Sequence, residues 1–76
     1  MRELLETIVK ALVDNPDRVQ VRAAEGEEVT ILELRVDPSD VGKVIGRHGR
    51  NVNSIRTILA AAGMKLKKRI TLEVLE

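Results

Sequence analysis

In the stretch Val44-Ile45-Gly46-Arg47-His48-Gly49-Arg50, two glycines bracket two basic side chains. These residue types at this spacing suit the holding of a phosphate backbone. Glycine has no Cβ, so it takes positive φ and lets another backbone come close. Arg47, His48 and Arg50 add side-chain donors, and Lys43 lies one turn ahead of them. The amides that open the following helix, near Arg50 and Asn51, lack intrahelical partners and carry the positive end of its dipole. A bare G-x-x-G pair can be a helix-helix turn and nothing more. Basic residues filling and flanking the pair point to an anion.

The neighbouring elements must position this loop. Upstream, residues 38–45 read as a short helix, with Asp37 as N-cap and Pro38 in the first helical position. Downstream, Val52, Ile55, Ile58, Leu59 and Ala62 recur at helical spacing until Gly63, read here as the stop. Residues 2–13 form an amphipathic helix with Leu5, Ile8, Val9 and Leu12 in one stripe and Leu4 beside it. Asn15-Pro16-Asp17 ends that helix. Residues 18–23 alternate polar and apolar, as a half-buried strand does. After a turn at Glu25-Gly26-Glu27, residues 29–36 make a second strand with Leu32, Leu34 and Val36 inward, although Val29 and Ile31 blur the register. Residues 69–75 make a third, with Ile70, Leu72 and Val74 facing one way. Residues 64–69 read either as a basic loop or as an early start of that strand. The order α-β-β-α-α-β predicts a two-layer α+β fold, a three-stranded sheet with helices on one face, in one domain over residues 1–76.

Charge is segregated along the chain. Residues 1–38 hold five Lys/Arg and nine Asp/Glu, whereas residues 39–76 hold eight and three. No acid occurs between Val41 and Arg69. Solubility alone asks for mixed signs, so a run of this kind on a glycine loop favours nucleic acid. The 43% hydrophobic and 33% charged composition is that of a globular chain. A chain of this size buries only about 60% of its unfolded surface. There is no cysteine for disulfides or thiolate chemistry, no run long enough for a membrane span, and an acidic start where an export signal would be apolar.

The run from Val41 to Val52 resembles the KH-domain signature, an apolar-Ile-Gly-x-x-Gly loop with an apolar residue three positions on. Ile55-Arg56 continues the likeness, which is densest over residues 37–60. Length and element order are similar to the small bacterial single-KH proteins of the KhpA family. The resemblance implies a type II KH arrangement, its βααβ core spanning residues 28–76 after helix 2–13 and strand 18–23. It implies a loop that clamps about four nucleotides of single-stranded RNA. Lys43, Ile45, Gly46, Arg47, His48, Gly49, Arg50, Asn51 and Arg56 are the expected contacts. The groove would lie between the loop-flanking helices and the strand of residues 29–36, floored by Val41, Val44 and Ile45. Without Phe, Tyr or Trp there is no aromatic stacking, so affinity should be weak and sequence preference loose. Further implications are a cytoplasmic RNA chaperone or post-transcriptional regulator that needs no cofactor. It would work as a homodimer or with a larger KhpB (Jag)-type RNA-binding protein, with no membrane and no small-molecule substrate.

Other chemistries find little support. The single histidine has no second histidine or cysteine to complete a metal site, and its basic segment has no carboxylate for acid-base work. Gly42-Lys43 lacks the Ser/Thr and glycine spacing of a P-loop. Two rivals remain. A helix-turn-helix DNA reader also joins helices by a glycine turn, but it packs them on a third helix where strands stand here. A protein-interaction or dimerisation module is the other.

Overall fold

The computed structural model describes residues 1–75; Glu76, the end of the expected core, lies outside the described residues. Helix α1 runs over Arg2–Leu12 and strand β1 over Gln20–Glu25, with a 3-10 turn at Pro16–Arg18 between them. Strand β2 is Val29–Arg35 and leads through a 3-10 turn, Pro38–Asp40, into the short helix α2, Val41–Ile45. Helix α3 covers Arg50–Leu66 and strand β3 Arg69–Leu75. The α-β-β-α-α-β order expected from the sequence is the one observed.

The sheet is ordered β1-β2-β3, so β2 is central. It pairs antiparallel with β1 and parallel with β3. Parallel neighbours need a long crossover, and here α2, the loop and α3 are that crossover. Thr30, Leu32 and Leu34 of β2 stand beside Glu25, Ala23 and Val21 on one side and Ile70, Leu72 and Val74 on the other. Leu32 and Leu34 are fully buried, so the inward set is the expected one with Thr30 added. Each buried leucine contributes roughly 2 kcal/mol by leaving water. Leu5 and Val9 of α1, Val44 of α2 and Val52, Ile55 and Leu59 of α3 close over that face.

Several boundaries differ from the sequence reading, each for a local reason. The first strand begins at Gln20, because Pro16 at its first position sets a 3-10 turn that uses residues through Arg18. Leu12 lies half out of the core; Val13, extended just past the helix, is buried in its place. Ile58 is 45% exposed, since one helix face cannot bury both it and Leu59. The largest correction concerns Gly63. It does not end α3, which continues to Leu66, so residues 64–66 of the ambiguous basic stretch are helical. Lys67 takes the left-handed conformation, φ 56°, that closes the helix. The Lys68 amide then bonds to the Gly63 carbonyl at 2.9 Å and the Lys67 amide to the Met64 carbonyl at 3.2 Å. This is the Schellman pattern with lysine where glycine is usual.

Gly63 is a packing glycine. A Cβ there would sit 2.6 Å from the Lys68 carbonyl oxygen and 2.7 Å from Ile70 Cγ1. Its bareness lets β3 begin directly against α3. Gly63→Ala is therefore expected to destabilise the fold by about 1–3 kcal/mol, although alanine is the better helix former. Thermal or urea unfolding checks this, and an unchanged or raised midpoint would refute the close-packing account.

Candidate nucleic-acid interface

Helix α2 stops at Gly46, whose φ of 74° and ψ of 171° turn the chain away while its amide bonds to the Gly42 carbonyl at 2.8 Å. Arg47–Gly49 make a 3-10 turn closed by the Gly49 amide on the Gly46 carbonyl at 3.1 Å. His48 and Gly49 both lie in the left-handed region, φ 57° and 73°. Histidine is among the side chains that tolerate it best. Three of the four residues from Gly46 to Gly49 thus have positive φ, and the turn is tight.

The two glycines have different tasks. A Cβ on Gly46 would meet Asn51 Cγ at 2.7 Å and the Asn51 amide nitrogen at 2.9 Å, so Asn51 is folded over the bare Cα. From there Asn51 Nδ2 donates to the Lys43 carbonyl at 2.8 Å, a cross-tie over the loop. Around Gly49 there is room, the nearest atom being Asn53 Nδ2 at 3.6 Å, and only its φ asks for glycine.

Arg47, His48 and Arg50 are exposed, and among the described residues none is in an ion pair. The amides of Arg47 and His48 have no backbone acceptor there either. The Arg50 amide, expected to be free, instead bonds to the Arg47 carbonyl. The unpaired donors therefore sit in the loop itself, three residues ahead of where the sequence placed them.

Lys43 faces elsewhere. Its ammonium is hydrogen-bonded to Asp14 and lies 3.7 Å from Asp40 Oδ1. The Asp14 hydrogen bond is the main reason that the Lys43 pKa is raised. Asp40, fully buried, accepts from the Asp14 amide at 3.2 Å, the Asn15 amide at 3.0 Å and Asn15 Nδ2 at 3.1 Å. Burial pushes its carboxyl pKa up, but these three donors and the Lys43 charge outweigh burial and leave it below the ordinary carboxylate value. The sequence reading missed this carboxylate. Its only visible signal was an acid among apolar neighbours at the start of α2. Asp37, by contrast, caps as expected, its carboxylate accepting from the Ser39 amide at 2.9 Å and hydroxyl at 2.7 Å.

The remaining expected contacts divide. Ile45 is 38% exposed beside the loop, whereas Val44 is wholly in the core and cannot floor a groove. Arg56 is six residues beyond Arg50 on α3 and so points roughly 120° away from it around the helix. Both edges of β2 are taken, by β1 and β3. The strand beginning against α3 is β3, whose outer edge pairs with no other strand among the described residues.

With this geometry in view, a family model described as "KhpA/KhpB, KH domain" matches residues 2–74. The chain belongs to the KhpA/KhpB KH-domain family. Among its relatives is an Aquifex aeolicus protein named RNA-binding protein KhpA, 50% identical over 76 residues, covering 100% of this chain and 96% of that one. A Clostridium acetobutylicum protein of the same name is 53% identical over 75 residues, 99% and 100% of the two chains. Another, from Borreliella burgdorferi, is 55% identical over 74 residues, 97% and 90%. Family membership agrees with the mixed sheet and the glycine loop placed within its crossover.

Two outcomes are expected from this site. Gly46→Ala displaces Asn51 and should lower the melting temperature clearly more than Gly49→Ala, which carries only the left-handed backbone penalty of about 1 kcal/mol. Equal losses would show that the Asn51 tie is unimportant. The second concerns acid. Because the folded Asp40 pKa is depressed, its contribution is present above the unfolded value of about 3.9 and is lost as pH falls through the folded value. Below pH ~4 the wild type should therefore lose melting temperature faster than Asp40→Asn. Parallel curves from pH ~5 to ~3 would remove Asp40 from the account.

Proposed function

We propose that this chain holds short single-stranded RNA segments through the Gly46–Gly49 loop. The observation that carries the reading is a turn whose amides at Arg47 and His48 are unpaired and whose Arg47, His48 and Arg50 side chains have no carboxylate partner among the described residues. Donors fixed in a tight turn meet phosphate oxygens with little ordering on binding. The name RNA-binding protein KhpA carried by relatives at about half identity supports the same ligand.

The mechanism is electrostatic clamping and contact with aliphatic surface. Arg47, His48 and Arg50 screen the phosphates while the loop amides fix the backbone. Bases lie against half-buried Val41 and exposed Ile45 and along the open edge of β3, whose free amides and carbonyls suit base edges. Lys43 is held by Asp14 and Asp40, so its part is to fix α2 and not to touch RNA. Asn51 likewise shapes the loop. Arg56 serves RNA only beyond the loop.

One such groove contacts about four nucleotides and three or four phosphates, with no aromatic stacking. Affinity should be roughly micromolar, with a log-log salt slope of about −2 to −3. Binding of that strength gains from linkage of two grooves. The working form in the cytoplasm is accordingly a homodimer or a complex with a larger KhpB-type RNA-binding protein, acting as an RNA chaperone or post-transcriptional regulator.

Arg47→Asp combined with His48→Asp should reduce binding of a short single-stranded RNA by at least about tenfold, through charge repulsion. The melting curve should stay near native, since both side chains are exposed. Fluorescence anisotropy with a duplex DNA control measures this. Undiminished RNA affinity, or preference for the duplex, would overturn the reading.

A further inference from the structure

A second basic surface lies at the other end of α3. Lys65, Lys67, Lys68 and Arg69 follow one another there, and none is in an ion pair among the described residues. The β1–β2 hairpin, which carries Glu25, Glu27 and Glu28, borders this surface through the Arg69 amide on the Glu28 carbonyl at 2.8 Å. Those carboxylates make no ion pair with the four cations, so the corner keeps its positive charge. Lys43 near the loop is neutralised by two aspartates; these four are not.

The corner is also concave. Ala60, Met64, Lys67, Lys68, Arg69 and Ile70 line a hollow of about 400 Å³ between the end of α3 and the start of β3. Its floor is apolar and its rim carries three cations. Met64 is 79% exposed there among the described residues, an adaptable apolar surface. The left-handed backbone at Lys67 and the close approach at Gly63 fix the shape of the hollow. An aliphatic floor with a cationic rim is the pattern of a nucleotide, base inward and phosphate outward.

We propose that this hollow is a second single-stranded RNA subsite, occupied by the same strand that the loop clamps. The inference rests on the RNA reading of the loop and extends it. Helix α3 begins at the loop and ends at the hollow, and its 17 residues span about 25 Å. A strand stacked at about 3.4 Å per nucleotide crosses that distance in roughly seven nucleotides. Two weak contacts on one rigid helix then select unstructured tracts over short single-stranded gaps. No acid lies along the chain between the two sites.

The test compares a single-stranded RNA of about four nucleotides with one of about twelve, over a range of salt concentrations. The proteins are wild type, Lys65→Gln/Lys67→Asn/Lys68→Gln and Arg47→Asp/His48→Asp. Asparagine is chosen at position 67 because it tolerates the left-handed backbone. Wild type should bind the longer RNA about tenfold tighter, after allowance for its number of binding registers. Its salt slope should steepen by about 2, from three further phosphates at about 0.7 each. The corner variant should bind the short RNA as wild type does and lose the gain on the long one. Equal affinity per register in wild type, or a corner variant that keeps the full gain, overturns the subsite. A wild type that binds neither RNA overturns the loop reading, and the subsite with it. Corner-dependent binding of anionic lipid vesicles, with RNA binding untouched, would assign the surface to a membrane and refute the proposal.

Discussion

The Asp40 carboxylate is the tie on which the arrangement of the other parts depends. It sits where the chain leaves β2 and begins α2, yet three of its donors come from Asp14 and Asn15, just past α1. One buried side chain thereby joins the N-terminal helix to the helix that carries the loop. A buried charge is tolerable only when its hydrogen bonds are made. Here they are, and Lys43 adds the opposite charge from the solvent side. Without this junction, α2, only five residues long, would have little to hold its direction. The loop's aim follows from it.

A second constraint is the close approach of backbones, met by glycine at two places of different kind. At Gly46 the approaching group is Asn51, at the start of α3; at Gly63 it is the segment that opens β3. Both ends of α3 are thus set by a missing Cβ, one locking the loop and the other the sheet. The helix acts as a rigid rod between a basic turn and a basic corner, and its buried stripe of Val52, Ile55 and Leu59 faces the sheet throughout.

Much of this was legible in the residues. The alternation in 29–36 and 69–75 gave the inward leucines, and Asp37-Pro38 gave the start of the first loop helix. Gly63 misled because glycine near a helix end is commonly a cap, and no sequence pattern reports that another strand crosses there. Leu12 and Ile58 misled because a helical stripe of apolar residues is wider than the face that tertiary packing covers. Lys43 and Asn51 looked like ligand contacts by type and proximity. In the fold Lys43 meets Asp14, twenty-nine residues away, and Asn51 meets a carbonyl eight residues before it. Pairings over such separations leave no local trace. The placement of β2 at the centre of the sheet was likewise invisible to periodicity, and it leaves β1 and β3 as the edge strands.

The parallel pairing of β2 with β3 bears on how the molecule forms. The entire loop unit lies inside the crossover between them, so α2 and α3 have no complete sheet to rest on until β3 has docked. Pairing over that sequence distance is slow compared with helix formation. The chain can therefore build helices early and still lack a properly aimed loop. The fully ordered loop arrives with the last cooperative step of folding. Partly folded molecules would then expose their basic segment before the turn has its geometry, and a polyanion present during folding would meet charge before it met an ordered loop.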